Sequence, residues 1–97
     1  MIQVVYEEKE ARIRFFGQLS SVSCETLEGE VDQVLLKQPE TVVFDLHEVS
    51  FVASIYLRIC LKIYKKMGRD HFRIINVSPA LKRIFAIAGL DEMVKTA

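Results

Sequence analysis

The sequence predicts a single α/β domain, a mixed sheet with crossover helices in the order β-β-α-β-α-β-α, closed by a short terminal strand. Three observations predict it. Short apolar runs recur as strands, segments of helical period separate them, and Ser, Pro or Gly stands where each helix should start or stop. The 97 residues suffice for one compact domain with a modest core and are too few for two. No linker-like segment or internal repeat divides the chain.

Ile2 to Tyr6 and Ala11 to Phe16 flank Glu7-Glu8-Lys9-Glu10, and the second run alternates Ile13 and Phe15 with Arg12 and Arg14. That pattern predicts a hairpin ended by Gly17. Ser20, Ser21 and Ser23 offer N-caps for a helix with apolar residues at Cys24, Leu27, Val31, Val34 and Leu35, running to about Lys37 before Pro39. Thr41 to Leu46 is apolar enough for a strand covered on both faces. A helix follows from Ser54 to a glycine cap at Gly68, and Phe72 to Val77 supplies the next strand. Ser78-Pro79 opens the third helix with a cap and a proline at its first position, burying Leu81, Ile84, Phe85 and Ala88 before Gly89. Leu90 to Val94 is expected to add a short edge strand.

The N-terminal segment carries three Glu where a signal peptide would be basic, and no apolar run approaches the roughly 20 residues of a membrane span. A cytoplasmic address without membrane insertion is expected. Cys24 and Cys60 lack metal-site or CxxC spacing and are expected as reduced core thiols. Net charge is zero but unevenly spread. Residues 1–50 hold ten acidic against four basic side chains and residues 51–97 three against nine, giving −6 and +6. Opposite signs within one small domain point to complementarity with a protein partner or within the fold rather than to nucleic-acid binding. Lys62, Lys65, Lys66 and Arg69 also complement the dipole at the end of one helix.

Little in the chain points to catalysis or a cofactor. His47 and His71 lie in expected loops without a recognisable Ser or Cys partner. Strand alternation points Asp45 and Glu48 different ways with no third metal ligand evident. Gly17, Gly29, Gly68 and Gly89 are scattered and form no phosphate-binding loop. No enzyme, metal or cofactor is expected.

Ser54 is the best candidate site. Placed at a helix start, it serves both as an expected N-cap and as a plausible phosphate carrier, because unpartnered backbone N–H groups there favour an oxygen or a negative charge. At about 100° per residue, Leu57, Cys60, Leu61, Tyr64 and Gly68 share one face, expected to be the core stripe. Ile55, Tyr56, Ile59 and Ile63 fall on an arc turned mostly away from it. A helix apolar nearly all round is expected to have its second side covered, by a partner or by a second copy of the chain.

Three stretches carry a family resemblance. Gly17-Gln18-Leu19-Ser20 with Cys24-Glu25-Thr26-Leu27 resembles the Gly-Glu-Leu-Asp turn and first helix of the STAS family, the fold of bacterial anti-sigma factor antagonists. Asp45 to Ser54 (DLHEVSFVAS) is similar to the strand and loop leading to that family's phosphorylatable serine. Asn76 to Phe85, closing with Ala88-Gly89-Leu90, is similar to its third helix. The resemblance implies partner switching. The unmodified protein binds an anti-sigma factor with serine-kinase activity, frees the sigma factor, and is released once its own serine, at the position of Ser54, is phosphorylated. Where the family reads Asp-Ser-Ser/Thr-Gly-Leu-Gly, this chain reads Ala53-Ser54-Ile55-Tyr56-Leu57-Arg58, and Ser20 replaces the acidic residue of the first turn. Tyr56 and Arg58 are expected to obstruct the family's docking or to create a different one.

The resulting expectation is a non-enzymatic regulatory binding module. Ser54 is its phosphoacceptor, and Ser20, Ala53, Ile55, Tyr56, Arg58, Ile59 and Ile63 form its partner surface, with a homodimer through the Ser54 helix as one form of docking. The alternative is a divergent adaptor without the switch, a subunit of a lipid-transport or other regulatory complex.

Overall fold

The computed structural model describes residues 2–95. The elements are β1 (Ile2–Glu7), β2 (Glu10–Leu19), α1 (Ser21–Leu35), β3 (Thr41–Val52), α2 (Ser54–Met67), β4 (Phe72–Ile75), α3 (Pro79–Ile87) and a single 3₁₀ turn, Asp91–Met93. One mixed sheet has the order β1-β2-β3-β4, with β1 antiparallel to β2 and the β2/β3 and β3/β4 ladders parallel. The α/β class and the order β-β-α-β-α-β-α are as the sequence predicts.

Alternation decides which face of the sheet is covered. Ala11, Ile13 and Phe15 of β2, Val42, Phe44 and Leu46 of β3, and Phe72 and Ile74 of β4 join one apolar cluster with Cys24, Leu27 and Val31 of α1, Ile59, Cys60 and Ile63 of α2, and Leu81 and Phe85 of α3. All three helices therefore pack on one face, and the expectation that β3 is covered by helices on both faces is corrected. Val43, on the other face, is still fully buried. It lies in register between Arg12 and Arg73, and the stems of such long side chains cover apolar surface while their charged heads stay in water.

β3 is twice as long as its apolar run suggested, because His47 to Val52 remains paired with β2 to the end, Leu19 opposite Val52. The pairing offset changes between Arg14 and Phe16 and again between Gly17 and Gln18, each time by one extra residue in β3. Each such bulge shifts the parity of the strand. Leu46, Val49 and Val52 are buried at a spacing of three rather than two, and the exposed residues between them read in sequence as a loop. His47 accordingly lies in β3. Gly17, with φ +77°, supplies a left-handed conformation at the second bulge.

The other ends follow local chemistry. Ser20 caps α1, accepting from Ser23 N–H at 3.3 Å, and Ser78 caps α3, accepting from Leu81 N–H at 3.3 Å. β4 stops at Ile75, two residues short of the expected Val77, because Asn76 turns into the left-handed region at φ +58°. The edge strand expected at Leu90 to Val94 is instead the 3₁₀ turn followed by one parallel bridge, Val94 to Ile74. Among the described helices, none is long and apolar enough to cross a membrane.

Candidate functional site

The candidate site lies where β2 and β3 deliver the chain to α1 and α2. Leu19 and Val52 are opposite one another at the ends of their strands, and Ala53 N–H donates to the Leu19 carbonyl at 2.9 Å. Ser20 and Ala53 therefore stand side by side, and the two helices start together. Around Ser20 the hydroxyls form a short chain. Ser20 Oγ donates to Ser23 Oγ at 3.2 Å and Ser23 Oγ to the Gln18 carbonyl at 3.3 Å. The structure thus brings the sequence-predicted Ser20, Ala53 and Ser54 together.

Ser54 is not the cap of α2, and that expectation is corrected. Ala53 holds the N-cap position in extended conformation, φ −85° and ψ 164°, and its carbonyl accepts from Tyr56 N–H at 3.0 Å and Leu57 N–H at 3.4 Å. Alanine has no side-chain oxygen, so α2 begins without a side-chain cap, and its first turn has no acidic residue. Ser54 is the first helical residue and is exposed; its hydroxyl makes no hydrogen bond among the described residues.

The arc assigned to partner contact is largely interior, a second correction. Tyr56, Ile59, Cys60 and Ile63, spaced i, i+3, i+4 and i+7, are the buried residues of α2. Leu57, Leu61 and Tyr64, expected in the core stripe with Cys60, are only partly buried. The apolar arc of α2 runs from Ile55 across Tyr56 to Leu61, and a helix packs through the middle of such an arc. The expected stripe took one edge of it for the centre. Tyr56, Ile59 and Ile63 are consequently unavailable as a surface. Tyr56 stacks edge-on to Phe15, ring centroids 5.3 Å apart, while Phe15 meets Phe44 at 4.8 Å. Its hydroxyl has no hydrogen-bond partner among the described residues. Burial pushes the Tyr56 phenol and the neighbouring Cys60 thiol well above their ordinary pKa. Cys24 and Cys60 are both free and buried, as expected.

What remains outward on α2 near Ser54 is half-buried Ile55 and exposed Arg58. With Glu28, Ile59 and Lys62 they line an open hollow of about 230 Å³ between α1 and α2. Lys62 Nζ lies 2.9 Å from Glu28 Oε2 and 3.3 Å from Asp32 Oδ1, and the Glu28 bond foremost raises its pKa. Arg73 likewise pairs with Glu10 at 3.3 Å. These contacts join the acidic and basic halves of the sequence, so part of the charge asymmetry is complementarity within the fold. Arg58 has no ion pair among the described residues.

Sequence reasoning missed the role of Asp45. The residue is buried at 1% exposure, its Oδ1 accepting from His47 N–H and from Asn76 Nδ2, each at 3.0 Å, and its Oδ2 lying 3.5 Å from Arg14 Nε. Burial alone would push the carboxyl up, but the Asn76 and His47 donors and the Arg14 charge outweigh it and hold the pKa below the usual value. Asp45 thus ties β3 to β2 and to the turn after β4. A charged residue inside the apolar run TVVFDL was the available signal. No cluster of three or more potential metal ligands occurs among the described residues.

Known proteins resemble this chain in sequence and in fold. The anti-sigma-F factor antagonist RsfB of Mycobacterium tuberculosis is 26% identical over 77 residues, covering 78% of this chain and 63% of RsfB, so the match spans less than two thirds of that relative. An anti-sigma factor antagonist from Mycobacterium paratuberculosis has a TM-score of 0.87 at 26% identity over 99% of this chain and 83% of that one. The unphosphorylated anti-sigma factor antagonist SpoIIAA has a TM-score of 0.83 over 100% of this chain and 88% of that one, and at 20% identity it shows likeness of fold alone. The STAS domain profile matches residues 3–97, nearly the full length over which these elements and their shared helix starts have been described, and the chain belongs to the STAS domain family.

Proposed function

We propose that the protein is a non-enzymatic regulatory binding module of the anti-sigma factor antagonist type, switched by phosphorylation of Ser54. Its partner is an anti-sigma factor with serine-kinase activity, and its docking surface is formed by Ser20, Ala53, Ser54, Ile55 and Arg58. The observation that carries this reading is the free, exposed hydroxyl of Ser54 on the first residue of α2, reachable by a kinase and not needed as a cap. A phosphate there adds roughly −1.5 to −2 charges, which a helix start tolerates and a closely packed partner does not. Membership of the STAS family and the similarity to RsfB support the partner class.

The test is incubation with a candidate anti-sigma kinase and magnesium ATP, followed by mapping of the phosphate. Modification at Ser54, absent in Ser54→Ala, is expected; no modification by an active kinase that binds the domain rejects the switch. Ala53, in place of an acidic residue, favours a second reading, a constitutive adaptor. Pull-down with Ser54→Asp beside wild type separates the two: loss of one partner supports the switch, and equal capture supports the adaptor.

A further inference from the structure

We propose that Arg58 is the internal counter-ion for a phosphate on Ser54, so that modification draws the guanidinium onto the phosphate and out of the docking surface. This rests on Ser54 being the phosphoacceptor. Residues four apart on a helix are surface neighbours, with roughly 5–6 Å between their Cβ atoms, and the order anion then cation along the chain is the favourable one. Ser54 and Arg58 have this spacing on α2 and both are exposed.

The neighbouring cation shows why the task falls to Arg58. One turn further along α2, Lys62 is held by both Glu28 and Asp32 across the α1–α2 groove. Arg58 lines the same groove and, among the described residues, is the unpaired one of the two. In the unmodified chain this charge stands near the positive end of the α2 dipole, where a cation is unfavourable and no acidic first-turn residue offsets it. Phosphorylation supplies the missing anion. As a serine kinase transfers the γ-phosphoryl group of ATP, the bond from Ser54 Oγ to phosphorus forms and the bond from that phosphorus to the β–γ bridging oxygen breaks. ADP leaves, and the hydroxyl proton passes to the kinase's base. The dianion then faces a planar guanidinium suited to paired hydrogen bonds with phosphate oxygens. A partner contacting Arg58 through a carboxylate loses that contact as the phosphate takes it over.

The experiment uses the full chain with phosphoserine installed at position 54 during translation, in wild-type, Arg58→Ala and Arg58→Lys backgrounds. No kinase is needed, so failure of a kinase to modify Ser54 and failure of Arg58 to couple are separate results. The second ionisation of the phosphate, followed by ³¹P NMR, is expected about 0.15 to 0.4 pH unit lower in the wild-type background than in Arg58→Ala, with Arg58→Lys between them. The difference should collapse near 1 M salt. Thermal melts should show a gain in midpoint on phosphorylation that shrinks in Arg58→Ala. Equal ionisation midpoints in both backgrounds overturn the proposal and assign the phosphate to the helix start alone. Should the phosphoprotein not fold, a Ser54→Asp and Arg58→Ala double-mutant cycle replaces it, and additive effects on stability overturn the proposal equally.

Discussion

At the scale of single residues, three serines of similar sequence context do different work. Ser20 and Ser78 accept from backbone N–H groups three residues on, whereas Ser54 sits one position inside its helix and caps nothing. Ser20→Ala and Ser78→Ala should each cost about 1 kcal/mol in urea denaturation, and Ser54→Ala should stay within about 0.5 kcal/mol of wild type. A loss at Ser54 equal to that at Ser20 would contradict the cap assignment. The sequence placed a hydroxyl at this helix start, but whether a residue is the cap or its successor is decided by one backbone dihedral pair, here that of Ala53. Asp45 gives the second residue-scale prediction. Its pKa is depressed in the folded protein, so its contribution to stability is present above the unfolded value near 3.9 and is lost as pH falls through the folded value. Removing the carboxylate also strands the Asn76 amide and the His47 N–H. Asp45→Ala should therefore cost about 2 kcal/mol at pH 7 and flatten the acid limb of the stability curve, both readable from urea melts at a series of pH values. An acid limb unchanged in the variant would place that titration elsewhere.

At the scale of elements, α2 and β3 mark where pattern reading succeeds and where it stops. The existence and approximate ends of the three α-helices were legible because Ser20, Ser78, Pro79, Gly68 and Gly89 punctuate them. The inward face of α2 was not legible. Its apolar residues occupy well over half the wheel, so a stripe drawn along one edge looks as apolar as one drawn through the middle, where Tyr56 meets the aromatic layer of Phe15 and Phe44. Ile59→Ala should cost about 2 to 4 kcal/mol through the cavity it leaves, while Leu57→Ala, on the half-exposed shoulder, should cost less than half as much. Guanidinium denaturation of the pair checks the orientation, and the reverse order would restore the face that the sequence favoured. Tyr56→Phe is a finer probe. It removes a buried hydroxyl that has no partner, so stability should be unchanged or slightly raised, as nothing is left unpaired. In β3 the lost signal has another cause. Two bulges change the buried spacing from two to three, and no period-two template recognises such a strand.

At the scale of the molecule, the case for self-association through α2 depended on an apolar surface that the fold consumes. Tyr56, Ile59 and Ile63 are at most 2% exposed, and Ile55 is the one member of that arc left partly at the surface. The large apolar side chains that do remain exposed are Val5 and Tyr6 on β1, Val22 and Leu36 at the two ends of α1, Phe51 near the end of β3 and Ile87 at the end of α3, and none of them lies on α2. Exposed apolar side chains at separate places are ordinary and give α2 no apolar patch. The charge asymmetry that pointed outward is likewise partly spent inside, on the pairs that Lys62 makes with Glu28 and Asp32 and on that between Arg73 and Glu10. The docking surface proposed above is small and centred on the Ser54 hydroxyl and the Arg58 guanidinium, which suits a transient, charge-sensitive contact. Light scattering of the isolated chain should accordingly give the mass of one copy, 11.2 kDa, across micromolar concentrations, and Ile55→Glu should leave it there. A mass that doubles with concentration and falls back in Ile55→Glu would return the interface to α2. Doubling that ignores the substitution would place it on another element. If the one-copy mass holds, Arg58→Glu should weaken capture of an acidic partner surface without altering the protein's own mass, separating recognition from assembly.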